Sequence, residues 1–209
     1  MGQLVCAEIA GAPDLALAWA AGRALPDDLD CDVIVDFSAP EALARLLDRA
    51  TAPVVSGTTG APPPIRADRA LLHSANFSLG VAALAHAVRD VAARLPGWDL
   101  EIVEIHHRGK RDAPSGTALR LAAAAGRGPA RNGHDGPRVA DAVGAHAVRG
   151  GDVVGEHTVY LFGNGERVTL GHVATDRAIF ARGALVCARW MVGRAPGLYS
   201  VDDVVAAPA

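Results

Sequence analysis

The chain is poor in several things, and each shortage excludes a class of protein. Its 209 residues include three cysteines, Cys6, Cys31 and Cys187. They are far apart, odd in number and form no C-x-x-C pair, which excludes a disulfide framework and a zinc ribbon. They read as reduced core thiols of a cytoplasmic protein. No run approaches the ~20 apolar residues of a membrane span. The opening Met1-Gly-Gln-Leu-Val-Cys6 lacks the basic region and apolar stretch of a signal peptide. Positive charge is not in excess, since 20 Lys and Arg face 23 Asp and Glu for a net charge of −3. No basic cluster offsets that balance, so a nucleic-acid binder is not expected. There is no internal repeat, and no low-complexity tract beyond alanine richness.

What remains is a chain that is 50% hydrophobic and 21% charged. That suffices for one full domain or two small ones with a buried core, and it excludes disorder. Leu4 to Ile9 reads as a short strand, and alanine-rich Ala12 to Ala24 as a helix. Cys31 to Phe37 is β-branched and flanked by Asp, the mark of a buried strand. Ser38-Ala-Pro40 opens a helix running to about Ala50, with Ser38 or Ala39 as cap and Pro40 in the first turn. Ala52 to Ser56 is the next strand, ending at Gly57-Thr-Thr-Gly60. A strand, helix and strand in this order imply a parallel crossover.

Ala61 to Pro64 is loop, because consecutive prolines cannot continue a helix. Ser78 to Leu95 has helical spacing. From Asp99 the pattern changes, and Asp99 to Ile105 alternates polar and apolar, as a half-exposed strand does. A helix over Ser115 to Ala125 follows, then a flexible loop from Gly126 to Pro137. Strands are expected over Ala142–Arg149, Val153–Phe162 and Glu166–Ala174, the last two joined by a Gly163-Asn-Gly165 hairpin. Ala178 to Val192 closes the chain as a helix. The reading is α/β with two domains: residues 1–77, completed by 178–209, around a parallel sheet, and residues 78–177 around a mixed sheet.

The densest polar segment is Glu104-Ile-His-His-Arg-Gly-Lys-Arg-Asp-Ala-Pro-Ser-Gly-Thr-Ala118, between a strand and a helix, where functional groups are commonly presented. Pro114-Ser115-Gly116-Thr117 is a helix start whose free N–H groups and hydroxyls suit a carboxylate or phosphate. Gly116 allows close approach. His106, His107, Arg108, Lys110 and Arg111 supply cations and titratable acids. This suits a small carboxylated substrate, with His106 or Lys110 as the proton donor. A solvated basic turn with a good cap is the plain alternative. A metal held by His106, His107 and one of His134, His157 or His172 has no H-x-x-x-H or H-E-x-x-H spacing behind it. Adjacent histidines on a strand also face opposite ways, so no metal is expected. Gly57 to Gly60 follows a buried parallel strand, where α/β sheets bind ligands.

The segment Glu104–Ala118 resembles the signature of the dihydrodipicolinate reductase family. Other pieces agree in order: Val35-Asp-Phe-Ser38, Gly57-Thr-Thr-Gly60, Ala75-Asn-Phe-Ser-Leu-Gly80, Arg149-Gly-Gly-Asp-Val-Val-Gly-Glu-His-Thr158, Asp176 to Gly183 and Pro196-Gly-Leu-Tyr199. The resemblance implies a truncated Rossmann-like parallel domain plus an α+β domain with a mixed sheet that builds a homotetramer. It implies reduction of a cyclic imine dicarboxylate by NADPH or NADH in lysine and diaminopimelate synthesis. His106 would be proton donor or acceptor and Lys110 the second donor. His107, Ser115, Gly116 and Thr117 would contact substrate. Gly57, Thr58 and Thr59, with Ser74, Ala75, Asn76 and Phe77, would line the nicotinamide side.

The family opens with a strand and a turn G-x-x-G-x-x-G that holds pyrophosphate at a helix start. No glycines of this sequence fit that turn or G-x-G-x-x-G. Leu4 to Glu8 resembles the family's second strand, so its first strand and helix are expected to be missing. Residues 9–31 and 60–74 also look shortened. Losing two charged hydrogen bonds of ~1.5–3 kcal/mol each would weaken cofactor binding over a hundredfold. Three functions follow: a nicotinamide-dependent reductase; a cofactor-independent dehydratase, cyclase or isomerase; or a non-catalytic homologue.

Overall fold

The computed structural model describes residues 1–22, 24–127 and 130–207. The chain divides into two units, Met1–Leu79 with Ala178–Ala209, and Gly80–Arg177.

The first unit is built on a four-stranded parallel sheet. Its strands are β1 (Ile34–Asp36), β2 (Val54–Ser56), β3 (Ala70–His73) and β9 (Gly197–Tyr199), in the order β1-β2-β3-β9. Helix α2 (Pro40–Arg49) covers one face, and Leu43, Leu46 and Leu47 bury against Ile34, Val54 and Leu71. The other face carries α1 (Gly2–Ala10) and α5 (Ala178–Met191), where Val5, Ala181 and Leu185 pack with Val35 and Phe37. Successive residues Ile34 and Val35 thus serve opposite faces, as a two-sided parallel strand requires. A short α6 (Val201–Ala206), with a Ser200/Asp203 capping box, ends the unit. No helix among the described residues is long and apolar enough to cross a membrane.

Four sequence expectations give way to the structure. Leu4 to Ile9 is not a strand but part of α1. A six-residue apolar run is ambiguous between the two. Val5 and Ile9, four apart, meet the α5 cluster on one helical stripe, and Arg182 of α5 donates to Glu8 at 3.0 Å. Leu4 to Glu8, being helical, does not form the strand that its resemblance to the family's second strand implies.

Ala12 to Ala24 forms no helix over its described residues. On a helix Leu15 and Trp19 would share one side. Instead Leu15 joins the α1/α5 cluster and Trp19 the α2 cluster, on opposite faces of the sheet. The chain must run extended to reach both. Between this segment and the outer edge of β1 lies a cleft of about 1480 Å³, lined by Val5, Ile9, Trp19, Ile34 and Phe37 among others.

The cysteines also divide. Cys187 is buried, and burial pushes its thiol pKa up to about 12. Cys6 and Cys31 are only partly buried, so the core-thiol reading describes Cys187 alone.

The second unit is a five-stranded mixed sheet. Its strands are β4 (Asp99–His106), β5 (Ala130–Asn132), β6 (Val143–Arg149), β7 (Gly155–Gly163) and β8 (Glu166–Ala174). They lie in the order β5-β6-β4-β7-β8, with β4 parallel to β6 and antiparallel to β7. Helices α3 (Leu79–Arg94) and α4 (Gly116–Ala124) close over one face, where Leu84, Val88, Leu121, Leu100, Ile102, Val159 and Leu161 form the core. The other face has no helix among the described residues, and Val148, Phe162 and Val173 are exposed on it. Asn164 and Gly165 link β7 to β8, and Gly165 takes φ +83°. The expected loop from Gly126 to Pro137 is corrected too: it contains β5, whose residues pair in parallel with β6, while Gly128 and Pro129 lie outside the described residues.

Candidate active site

Strand β4 alternates strictly. Leu100, Ile102, Glu104 and His106 are buried, and the residues between them are not. Leu100 and Ile102 belong to the core under α3 and α4, so Glu104 and His106 extend that row toward the start of α4. Ser115 caps α4, its Oγ accepting from the Ala118 N–H at 3.1 Å. The Ser115 N–H donates to Glu104 Oε1 at 3.0 Å. Arg149, at the end of β6 and in register with His106, donates to the same oxygen at 2.9 Å and to the Asp112 carbonyl at 2.7 Å. His157 on β7 reaches Ser115 Oγ at 3.2 Å, and its ring lies edge-on to His106 with centroids 5.0 Å apart.

Glu104 is thus the hub. Burial by itself would raise its pKa; the His157, Ser115 and Arg149 groups outweigh that and hold the carboxyl well below the usual range. Its Oε2 lies 3.6 Å from both His106 Nδ1 and His157 Nε2. His106 is the opposite case. Burial and the charges of His157, Lys110 and Arg149 outweigh the pull of Glu104 and lower its pKa to about 4. His106 is therefore a neutral imidazole at pH 7. A side chain at Gly155 would come within 3.1 Å of His106 Nε2, so that glycine keeps the ring's far nitrogen clear.

Lys110, the one lysine in the sequence, follows a turn in which its N–H bonds the His107 carbonyl, and its Nζ pairs with Asp112 at 2.8 Å. The space beside the Gly116 α-carbon is open to 4 Å. His106, Lys110, Ser115, Gly116 and Thr117 therefore share one strand-to-helix turn. His107 follows directly and is half-buried. The structure groups His106 with Glu104 and His157, not with His107. Glu104 and Arg149 stood in the sequence as motif letters only, and His157 as one alternative in a metal set; no local signal joins residues some 40 positions apart.

The cofactor-side candidates lie in the first unit, at the carboxyl edge of its sheet. Asp36, Ser56 and His73 end β1, β2 and β3 in register. Asp36 is buried and accepts from the Ser38, Ser56 and Thr58 hydroxyls at 2.5, 2.7 and 2.7 Å. Ser38 therefore bonds Asp36, and Ala39 is the N-cap of α2. The Thr58 side chain is buried in this network, whereas Thr59 is exposed. A Cβ on Gly57 would collide with the Phe37 ring, which meets Phe77 edge-on at 5.5 Å. Ser74 to Phe77 forms a tight turn: Ser74 Oγ donates to the Asn76 carbonyl at 2.7 Å, and Asn76 Oδ1 accepts from the Ser78 N–H at 2.8 Å. Phe77 is buried and Ala75 exposed.

The family model described as dihydrodipicolinate reductase, C-terminus, matches residues 80–205. A 4-hydroxy-tetrahydrodipicolinate reductase of Methylocella silvestris is 49% identical over 197 residues, covering 84% of this chain and 72% of its own. That of Nitratiruptor sp. is 42% identical over 207 residues, covering 87% and 82%. A solved dipicolinate-bound dihydrodipicolinate reductase from Paenisporosarcina sp. TG-14 shares the fold, with a TM-score of 0.73 at 21% identity over 97% of this chain and 94% of that one. By family model, identity and fold, the chain belongs to the dihydrodipicolinate reductase family of oxidoreductases.

Proposed function

We propose that the protein reduces a small cyclic imine dicarboxylate with a nicotinamide cofactor. The observation that carries this reading is the Glu104-centred lock on the α4 start. Arg149, Ser115 and Glu104 fix a helix N-terminus beside His106 and Lys110. The positive end of that helix then takes one carboxylate, with Ser115, Gly116, Thr117 and His107 as contacts. That the solved relative binds dipicolinate, a ring dicarboxylate, supports the substrate class.

Gly57 to Thr59 and Ser74 to Phe77 fit the nicotinamide end of a cofactor, since they are loops at the carboxyl edge of a parallel sheet with an exposed Thr59. When bound, NADPH or NADH supplies the hydride. The chain's own part is acid–base work. Lys110 Nζ is the proton donor on the turn. His106, neutral when the site holds no anion, gains basicity as the substrate's carboxylates arrive, and can then hold or return the proton. Substitution of either by Ala is expected to lower turnover by about 10²–10⁴-fold. The uncovered sheet face with Val148, Phe162 and Val173 supports a homo-oligomer in which a second copy covers it.

Calorimetric titration with NADPH and NADH, with and without pyridine-2,6-dicarboxylate, tests the reading. A cofactor affinity in the ~micromolar range supports it. Dicarboxylate binding without any nicotinamide binding overturns it in favour of a cofactor-independent dehydratase, cyclase or isomerase. Binding of neither points to a non-catalytic homologue.

A further inference from the structure

We propose that Glu101, His134 and His146 form a binding site for a divalent transition-metal ion, zinc foremost, on the helix-free face of the mixed sheet. Glu101 lies on β4 between buried neighbours, so its side chain faces away from α3, α4 and the Glu104 network. It pairs in register with Gly144 of β6, and His146 stands two residues further along β6. Two residues apart on a strand share a face. His134 arrives from the segment after β5. Gly133, at φ +64°, bonds the Ala145 carbonyl at 3.0 Å and turns the chain back over the sheet.

The three side chains converge. His134 Nε2 lies 2.8 Å from Glu101 Oε1, and His146 Nε2 lies 2.8 Å from Glu101 Oε2. Their donor atoms all fall within 4.8 Å of one another. The point of convergence is the bare α-carbon of Gly144. A Cβ there would collide with Glu101 Oε2 and sit 2.8 and 2.9 Å from His134 Nε2 and His146 Nε2. Two imidazole nitrogens and one carboxylate oxygen therefore aim at a hollow that only glycine leaves open, within a cavity of about 330 Å³ bounded also by Asp99, Arg138 and Phe162.

The donor set decides the ion. Two imidazoles with one carboxylate suit zinc, cobalt or nickel over calcium or magnesium, and leave a fourth position for water. Binding needs no oxidant or reductant. Each neutral imidazole moves its proton to Nδ1 and presents the Nε2 lone pair, while Glu101 exchanges two N–H donors for the metal. Arg138 is the competing cation. Its Nε donates to Glu101 Oε1 at 3.2 Å, but its other nitrogens hold Asp99 at 2.9 Å and the Ala142 carbonyl at 2.8 Å. It can yield the Glu101 bond and stay anchored. A bound ion would pin the segment after β5 to β4 and β6.

The test is titration of the chelator-stripped full chain with Co²⁺, followed by its visible absorption. One equivalent with the intense bands of tetrahedral cobalt is expected. His146→Ala, His134→Ala and Glu101→Gln should each weaken binding at least about tenfold. His146→Cys should keep it and add a sulfur charge-transfer band, which guards against a variant that fails through misfolding. A His106→Ala/His157→Ala double variant should bind as the parent does. Absence of saturable binding, or binding that survives both single histidine deletions or falls only with His106 and His157, overturns the assignment.

Discussion

Two buried acids organise the two units, and they do so with different partners. Asp36 in the first unit is satisfied by three neutral hydroxyls, from Ser38, Ser56 and Thr58. Glu104 in the second is satisfied by a guanidinium and a backbone N–H, with two imidazoles at 3.6 Å. Hydroxyls can rotate to new partners, so Asp36 acts as a fastener that ties the ends of β1 and β2 together. A fixed guanidinium and a helix start cannot rotate away. Glu104 therefore sets the electrostatic level of the site and holds negative charge under a neutral His106. One unit uses a carboxylate to shape loops, the other to place charge beside titratable groups.

The largest expected effect breaks the second arrangement. Glu104→Ala leaves Arg149 without its buried counter-charge and frees the Ser115 N–H, and should cost about 3–5 kcal/mol of stability, read by denaturant unfolding. A loss under ~1 kcal/mol would show that Arg149 finds water instead.

A second prediction concerns acid. His106 has its pKa lowered from 6.5 to about 4 in the folded chain. Between those values the unfolded chain takes up a proton that the folded chain refuses, so stability should fall as pH drops from 6.5 toward 4 and stop falling below. Glu104, with a depressed pKa, adds a loss only below its ordinary value of 4.5. His106→Gln should reduce the slope in the upper window, to which His172, also lowered by burial, adds a share, and leave the lower one. An unchanged slope above pH 4.5 would remove His106 as its source.

The smallest effect sharpens the comparison from the other side. Asp36→Asn keeps one acceptor oxygen among hydroxyls free to turn, and should cost only about 1 kcal/mol in the same unfolding measurement. A loss as large as that of Glu104→Ala would mean that the two acids are not different in kind.

Legibility in the sequence followed the same division. The alternating pattern over 99–105 placed β4, whereas the burial of Glu104 and His106 on one side came from the structure. Pro114 to Thr117 was legible as a helix start, and the structure makes Ser115 its cap. Leu4 to Ile9 misled because a short apolar run fits helix or strand until its neighbours are known, and α5 supplied the neighbour. Ala12 to Ala24 misled because alanine favours helix locally, while Leu15 and Trp19 are drawn to opposite faces of a sheet. Within the candidate site, the His106 to Thr117 residues were legible as one segment. Arg149 and His157 were not, because register across β6, β4 and β7 brings them there.

The sequence by itself determined the family, the parallel and mixed halves, the hairpin at Asn164-Gly165 and the polar turn from His106 to Thr117. These depend on residues within a few positions of one another, where period, cap and turn preferences act. Tertiary structure alone decided that α1 is a helix, that β5 joins the sheet, and that Glu104 meets Arg149 and His157. It also decided that Glu101, His134 and His146 meet over Gly144. Those outcomes rest on strand order and register, which fix which side chains share a face, and no local preference encodes a partner 30 or more residues away.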